Sequence, residues 1–295
     1  MQRIDAQLCN APGGTAALVT SAVPESHFAP MPTPSPTEIT TAIHHALDQV
    51  ERERDVRILF ACESGSRGWG FESRDSDYDV RFIYVHRLEW YLSVEPHRDV
   101  VEIPISGLLD VNGWELRKSL RLLRKSNPAL LEWLSSPIVY REHVPIMRDY
   151  RALLPPYYSP IACLHHYLST AKGNFRDYLQ SEQVRTKKYL YVLRPVLACR
   201  WIEAGRGVVP MQFGTLYRAV APREEAVRAA IEALMAQKKA GFETDRGPRI
   251  DVLNAFLSAE IAHFEALQLR ASKRPTVEEM DRFFRGAMGR AWAAH

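Results

Sequence analysis

The sequence predicts an α+β fold: a mixed β-sheet domain with flanking helices, followed by an all-α domain. Three observations predict it. The apolar run at 56–60 is short and bounded like a buried strand, and 77–85 follows as a second strand after a stretch of small residues. Past Pro155 and Pro156 the strand patterns give way to long stretches with helical spacing. The composition, 46% hydrophobic and 25% charged over 295 residues, is that of a globular chain long enough for one large domain or two modest ones. The expected division is a disordered tail over 1–33, a sheet domain over 34–155 and a helical domain over 156–295.

Residues 1–33 are rich in Ala, Pro, Ser and Thr and lack periodicity, so they are expected to be disordered, with Met31 a candidate start site. Order is expected from Ser35. Ser35 as N-cap, Pro36 at the first helical position and Glu38 three residues on form a capping box. Ile39, Ile43, Leu47 and Val50 then recur at helical spacing as far as Arg54. Strands at 56–62 and 77–85 follow, joined by a turn that carries Gly65, Ser66, Gly68 and Gly70. Residues 100–105 alternate as a strand that Pro104 confines to an edge or a bulge. Residues 108–111 form a short strand feeding a helix with Asn112 as its N-cap. Arg117, Lys118, Arg121, Arg124 and Lys125 decorate that helix, either as a solvated face or as phosphate or nucleic-acid contacts. A short helix at 130–134 and a last strand at 138–140 complete this half. Helices are then expected over 160–180, 184–204, 223–240, 250–270 and 277–292, with turns at Gly205, Gly207 and Gly241. Pro195 lacks a backbone donor and should kink the second of them.

The net charge of +3 decides nothing about nucleic acid, but residues 171–250 hold 15 Lys and Arg against 8 Asp and Glu, a local +7. Four cysteines, Cys9, Cys62, Cys163 and Cys199, show neither metal nor disulfide spacing and read as reduced thiols of a cytoplasmic protein. No run reaches transmembrane length, and no signal-peptide pattern opens the chain. His44 and His45, like His165 and His166, are adjacent on helices and do not converge on a metal. A Walker-type phosphate loop and an RRM-type aromatic string are both absent from the sequence.

The chemistry concentrates at Asp77 and Asp79. Two apart on a strand, they share one face about 6.6 Å apart. Neighbouring carboxylates raise each other's pKa unless a cation sits between them. Mg²⁺ suits that place, because it takes hard oxygen ligands and bridges carboxylates to phosphates. The glycine-rich turn ahead of them lets backbone N–H groups approach an anion, and Ser66 adds a hydroxyl donor. Gly65 and Ser66, with an eleven-residue step to Asp77 and Asp79, resemble the signature of the DNA polymerase β-like nucleotidyltransferase superfamily. The longer pattern, from Glu63 to Phe71 and from Asp75 to Tyr84, is similar to a narrower group, the predicted nucleotidyltransferases found with bacterial RNA-repair genes. Further echoes at 110–118, 127–137 and 187–195 extend the resemblance over roughly 56–210.

The resemblance implies a nucleotidyltransferase-type sheet domain and Mg²⁺-dependent transfer of a nucleoside monophosphate from a nucleoside triphosphate to an acceptor hydroxyl. Two ions about 3.5–4 Å apart would serve it, with Mn²⁺ as a substitute. The association with RNA repair favours an RNA end as acceptor; a protein hydroxyl or a small molecule stays open, because fold does not determine substrate. The competing expectation is a catalytically silent nucleotide- or RNA-binding protein of the same fold. The family pattern places a third carboxylate on a neighbouring strand. Asp110 is the first choice and Glu102 the alternative, and helix capping is the other role open to Asp110. Asp77, Asp79 and Asp110 are therefore the expected catalytic and metal residues. Gly65, Ser66 and Arg67 are the expected nucleotide contacts from the turn, and Lys172, Lys188, Tyr189 and Arg194 those from the helical half. Lys188 and Tyr189 stand where the resembled families often hold triphosphate and base, with Lys187 a neighbouring candidate. Arg81 either holds the triphosphate or neutralises the acids. Trp69 and Phe71 either stack on a base or, the favoured reading, pack under the turn; Asp75 reads as a turn residue.

Overall fold

The Ile39, Ile43, Leu47 and Val50 stripe does form a helix, α1 (Pro36–Arg54), and all four side chains are buried. The structure is a computed structural model that describes residues 35–73, 76–240, 246–269 and 275–293. The expected tail over 1–33 with Met31, and the turn residues Asp75 and Gly241, lie outside these. Pro36–His295 forms one compact unit.

β1 (Val56–Glu63) buries every residue except Arg57. The glycine-rich stretch after it is a short helix, α2 (Gly65–Trp69), where the sequence suggested an open turn. Gly68 N donates to the Ser64 carbonyl at 3.1 Å, and Gly70, at φ 80°, ends the helix in the left-handed region open to glycine. β2 (Tyr78–His86) comes next, so Asp77 stands just ahead of the strand and Asp79 within it. After α3 (Leu88–Tyr91) come β3 (Val100–Glu102) and β4 (Leu109–Glu115). β4 runs through Asn112, correcting the expected helix cap there. Its parallel ladder with β2 continues to the pair Tyr84 and Glu115. Glu115 caps α4 (Leu116–Arg124) instead, accepting the amides of Arg117 and Lys118 at 2.8 and 3.1 Å. The ladder satisfies the backbone that a cap at Asn112 would have served. α5 (Pro128–Leu134), capped by Asn127, precedes β5 (Val139–Glu142).

The sheet is mixed, in the order β3-β4-β2-β1-β5. β1 is antiparallel to β2 and β5, β2 is parallel to β4, and β3 lies antiparallel on the outer edge of β4, the edge place that Pro104 suggested. Alternation divides the side chains between two cores. Ile58, Val80, Phe82, Tyr84 and Val111 pack with α1, while Phe60, Cys62, Ile83 and Val85 join the larger core shared with the later helices.

Those helices are α6 (Val144–Ala152), α7 (Leu154–Tyr157), α8 (Pro160–Tyr178), α9 (Lys188–Glu203), α10 (Phe213–Val220), α11 (Glu225–Lys239), α12 (Asp251–Ala266) and α13 (Glu278–Ala291). A two-stranded ladder, β6 (Gln183–Val184) with β7 (Gly247–Pro248), joins the segments before α9 and α12. α8 packs along α9, and α13 returns to α4, α6 and β2, where Trp292 Nε1 donates to the His86 carbonyl at 2.9 Å. α9 continues through Pro195. Proline leaves the carbonyl four residues earlier, that of Tyr191, without its helical donor, and Asn174 Nδ2 on α8 supplies one at 3.2 Å. Among the described residues no helix is long and apolar enough to cross a membrane.

Candidate active site

The site grows from the open end of the β1–β2 pair. Ser64 N donates to the Asp79 carbonyl and Asp79 N to Glu63 Oε1, both at 2.8 Å, so the Asp79 backbone is fastened to β1. Glu63 is wholly buried and its second oxygen accepts the Tyr140 hydroxyl. Burial pushes its carboxyl up to about 7, against the pull of these donors. Gly65 sits at φ 55°, and a Cβ there would come within 1.9 Å of Asp79 Oδ2. That oxygen therefore rests on the Gly65 backbone, which explains why a glycine must stand at this distance before the aspartate pair.

Arg67 secures the approach to β2. Its Nη2 donates to the Ser76 carbonyl at 2.7 Å and its Nε to the Asp77 carbonyl at 3.2 Å, and the guanidinium lies 3.7 Å from the Tyr78 ring centroid. Lys238 Nζ, on α11, donates to Ser73 Oγ at 3.2 Å, and Ser73 and Ser76 share a hydrogen bond. The approach to Asp77 is thus held from two sides.

Asp79 and Asp110 are direct partners across the parallel ladder. Arg81 lies between them: its Nη2 donates to Asp79 Oδ1 and to Asp110 Oδ2, each at 2.8 Å. Burial pushes the Asp79 carboxyl up, Arg81 pulls it back down, and the Asp110 and Asp77 charges add to the rise.

A cavity of about 410 Å³ opens over these groups. Gly65, Ser66, Asp77 and Asp79 line one part of it. Lys187, Leu190 and Tyr191 from the α9 region and Lys238 from α11 line another, with Trp69 and Phe71 from the segment around α2. Carboxylates, ammonium groups and aromatic rings thus share one enclosure.

The structure brings together Gly65, Ser66, Asp77 and Asp79, with Arg67 and Asp110 adjoining. Lys187, Trp69 and Phe71 also line the cavity, whereas Lys172, Lys188, Tyr189, Arg194 and Glu102 are not part of its lining. Lys188 Nζ sits over the rings of Tyr178 and Tyr191, 4.3 and 4.9 Å from their centroids, and its neighbour Lys187 lines the cavity. Tyr189 is buried; its hydroxyl donates to Asn254 Oδ1 at 2.5 Å and accepts from Ile250 N at 2.8 Å. Arg194 is buried in an ion pair with Glu132 at 2.7 Å and lies 4.7 Å from the Trp69 ring centroid. Trp69 Nε1 also donates to Glu132, at 3.3 Å, so Arg194 and Glu132 seat α2 from behind the cavity. Lys172 is exposed and paired with Glu265, and Glu102 is exposed and paired with Arg98. Lys238 and Tyr191 escaped sequence reasoning; the local excess of positive charge over 171–250 was the one signal pointing at Lys238.

Among the described residues, no group of three or more His, Cys, Asp or Glu side chains is arranged to hold a metal ion. Asp77 and Asp79 on a shared cavity wall nevertheless fit a Mg²⁺ that arrives with phosphates, because this ion is commonly held by one or two carboxylates plus substrate oxygens.

A family profile described as the RNA repair pathway DNA polymerase beta family matches residues 39–286. Over 248 residues the chain is 47% identical to an uncharacterised protein, YcgL, of Bacillus subtilis (strain 168), covering 83% of this chain and 95% of that protein. Among solved structures, a nucleotidyltransferase-like protein from Exiguobacterium sibiricum 255-15 is 14% identical with a TM-score of 0.28, over 77% of this chain and 73% of that one. The chain belongs to the RNA repair pathway DNA polymerase beta family, a membership that supports a general role in nucleotidyl transfer.

Proposed function

We propose that the chain transfers a nucleoside monophosphate from a nucleoside triphosphate to an acceptor hydroxyl, with an RNA end as the favoured acceptor. The acceptor oxygen forms a bond to the α-phosphorus as the bond to the bridging oxygen breaks. Pyrophosphate leaves, and the hydroxyl proton passes to water. One observation carries the reading: the Asp79 carboxylate, seated on Gly65, opens with Asp77 into a cavity that also holds Lys187 and Lys238. Asp77 and Asp79 would hold Mg²⁺, which when bound neutralises phosphate charge. Lys187 and Lys238 draw the triphosphate in and offset its charge, and the Ser66 hydroxyl donates to a phosphate oxygen. Trp69 and Tyr191, both in the cavity lining, are the aromatic residues that would pack against the base. Such transfer asks the protein for positioning and electrostatics more than for covalent chemistry.

The acceptor preference for RNA rests on the family's description. The second reading is a catalytically silent nucleotide-binding protein, and the observation in its favour is Arg81 already neutralising Asp79 and Asp110. Incubation with each α-labelled triphosphate, Mg²⁺ and either RNA bearing a free 3′ hydroxyl or a protein extract separates them. Label on RNA that disappears in Asp77→Asn is expected. Label on protein instead moves the acceptor. Triphosphate binding without label on any fraction gives the case to the silent binder.

A further inference from the structure

Every polar atom of the Asp110 carboxylate is engaged within the protein. Oδ2 accepts from Arg81 Nη2 at 2.8 Å and Oδ1 from Asn112 Nδ2 at 2.6 Å. Arg81 is itself fixed by more than the acids. Its Nη1 donates to the backbone carbonyls of Asp110 and Val80, at 2.8 and 3.2 Å, and its side chain is only 17% exposed. One guanidinium nitrogen thus lies at hydrogen-bond distance from both Asp79 Oδ1 and Asp110 Oδ2, in the gap where an ion shared by those two carboxylates would have to sit. A Mg²⁺ in that gap would need oxygens at about 2.0–2.1 Å, so ion and guanidinium exclude each other. Among the described residues no cation pairs with the Asp77 carboxylate, and Asp77 lines the cavity beside Asp79, whose Oδ2 is turned to Gly65 and not to Arg81.

Building on the proposed transferase site, we infer that Arg81 stands in for a second metal ion: the centre takes one divalent ion, on Asp77 and Asp79, and Asp110 positions Arg81 instead of binding metal. A planar, permanently charged guanidinium suits the task, because it bridges two carboxylates with directed hydrogen bonds and cannot lose its proton. It also keeps the Asp79 carboxylate from swinging off Gly65, since one oxygen is held by Arg81 while the other rests on the glycine.

Counting bound Mn²⁺ by electron paramagnetic resonance, on the full chain with excess α,β-methylene-ATP, tests this. The parent should bind one Mn²⁺ per chain in the ternary complex. Arg81→Met should bind two, because its removal opens the gap between Asp79 and Asp110. Asp110→Asn should stay at one, and circular dichroism melting reports whether each variant folds. Two ions in the parent, or one ion in a folded Arg81→Met, overturns the inference while leaving the transferase reading standing. No ion in the parent overturns both. Should Arg81→Met fail to fold, the parent and Asp110→Asn counts decide alone, since a two-ion centre would start at two and lose one.

Discussion

Gly65→Ala probes the contact on which the site is built. An alanine Cβ would lie 1.9 Å from Asp79 Oδ2 and 2.7 Å from its Cγ. Non-bonded carbons do not approach so closely, so the carboxylate must retreat by about an ångström or the chain must shift. Arg81 holds the other oxygen at 2.8 Å, and retreat works against that bond, worth about 1.5–3 kcal/mol when charged groups share it. The backbone at φ 55° adds about 1–2 kcal/mol of strain for any residue with a Cβ. The expected loss is therefore about 2.5–5 kcal/mol of unfolding free energy. Gly70→Ala is the control: it sits at φ 80° with no heavy atom within 4 Å of its hypothetical Cβ, so it should lose only the strain. Urea unfolding measures both variants, and calorimetry with Mn²⁺ and a triphosphate analogue measures the site. Both should lose stability, but only Gly65→Ala should lose metal-dependent nucleotide affinity. Its label transfer should fall by about a hundredfold, the scale of an ångström's misplacement. A Gly65→Ala protein that matches Gly70→Ala in stability and the parent in metal-dependent binding would refute the seating of Asp79 on Gly65.

Lys187→Ala and Lys238→Ala should each weaken triphosphate binding by about 1.5–3 kcal/mol, less at high salt, and Lys188→Ala should weaken it less because its ammonium faces Tyr178 and Tyr191. Calorimetry at two salt concentrations checks this, and a larger loss in Lys188→Ala reverses the assignment. Glu63 carries its proton more tightly when folded, its pKa rising from 4.5 to about 7. Its contribution is therefore full below about pH 4.5 and is lost as pH rises through about 7, for a total of about 3 kcal/mol. Glu63→Gln should accordingly flatten the fall in stability between pH 5 and pH 8; equal falls in parent and variant would count against a protonated Glu63. Arg194→Met leaves Glu132 buried without its cation and should cost about 3–5 kcal/mol in urea unfolding, with part recovered by adding Glu132→Gln. No recovery would mean that packing, not charge, accounts for the loss.

Local pattern was enough for much of the scaffold. The α1 stripe, the β1 and β2 strands, the edge position of β3 and the helices after Pro160 follow from periodicities that a few neighbouring residues create. The Gly65, Ser66, Asp77 and Asp79 grouping was legible too, because one hairpin-like return of the chain brings these residues together. What exceeded local pattern needed contacts distant in sequence. The parallel ladder with β2 carried β4 past Asn112, and a strand pairing of that kind leaves no mark at the residue it overrides. Lys187 rather than Lys188 lines the cavity, because adjacent helical residues point in directions about 100° apart and only packing sets the phase. Arg194 reads as one more cation in a basic stretch, yet its partner Glu132 and its neighbour Trp69 lie on other helices that bury it. Lys238 reaches Ser73 across 165 residues of chain. Sequence alone determined which residues could make a carboxylate-and-glycine site; tertiary structure alone decided which cations meet it, because long flexible side chains take their direction from whatever packs around them.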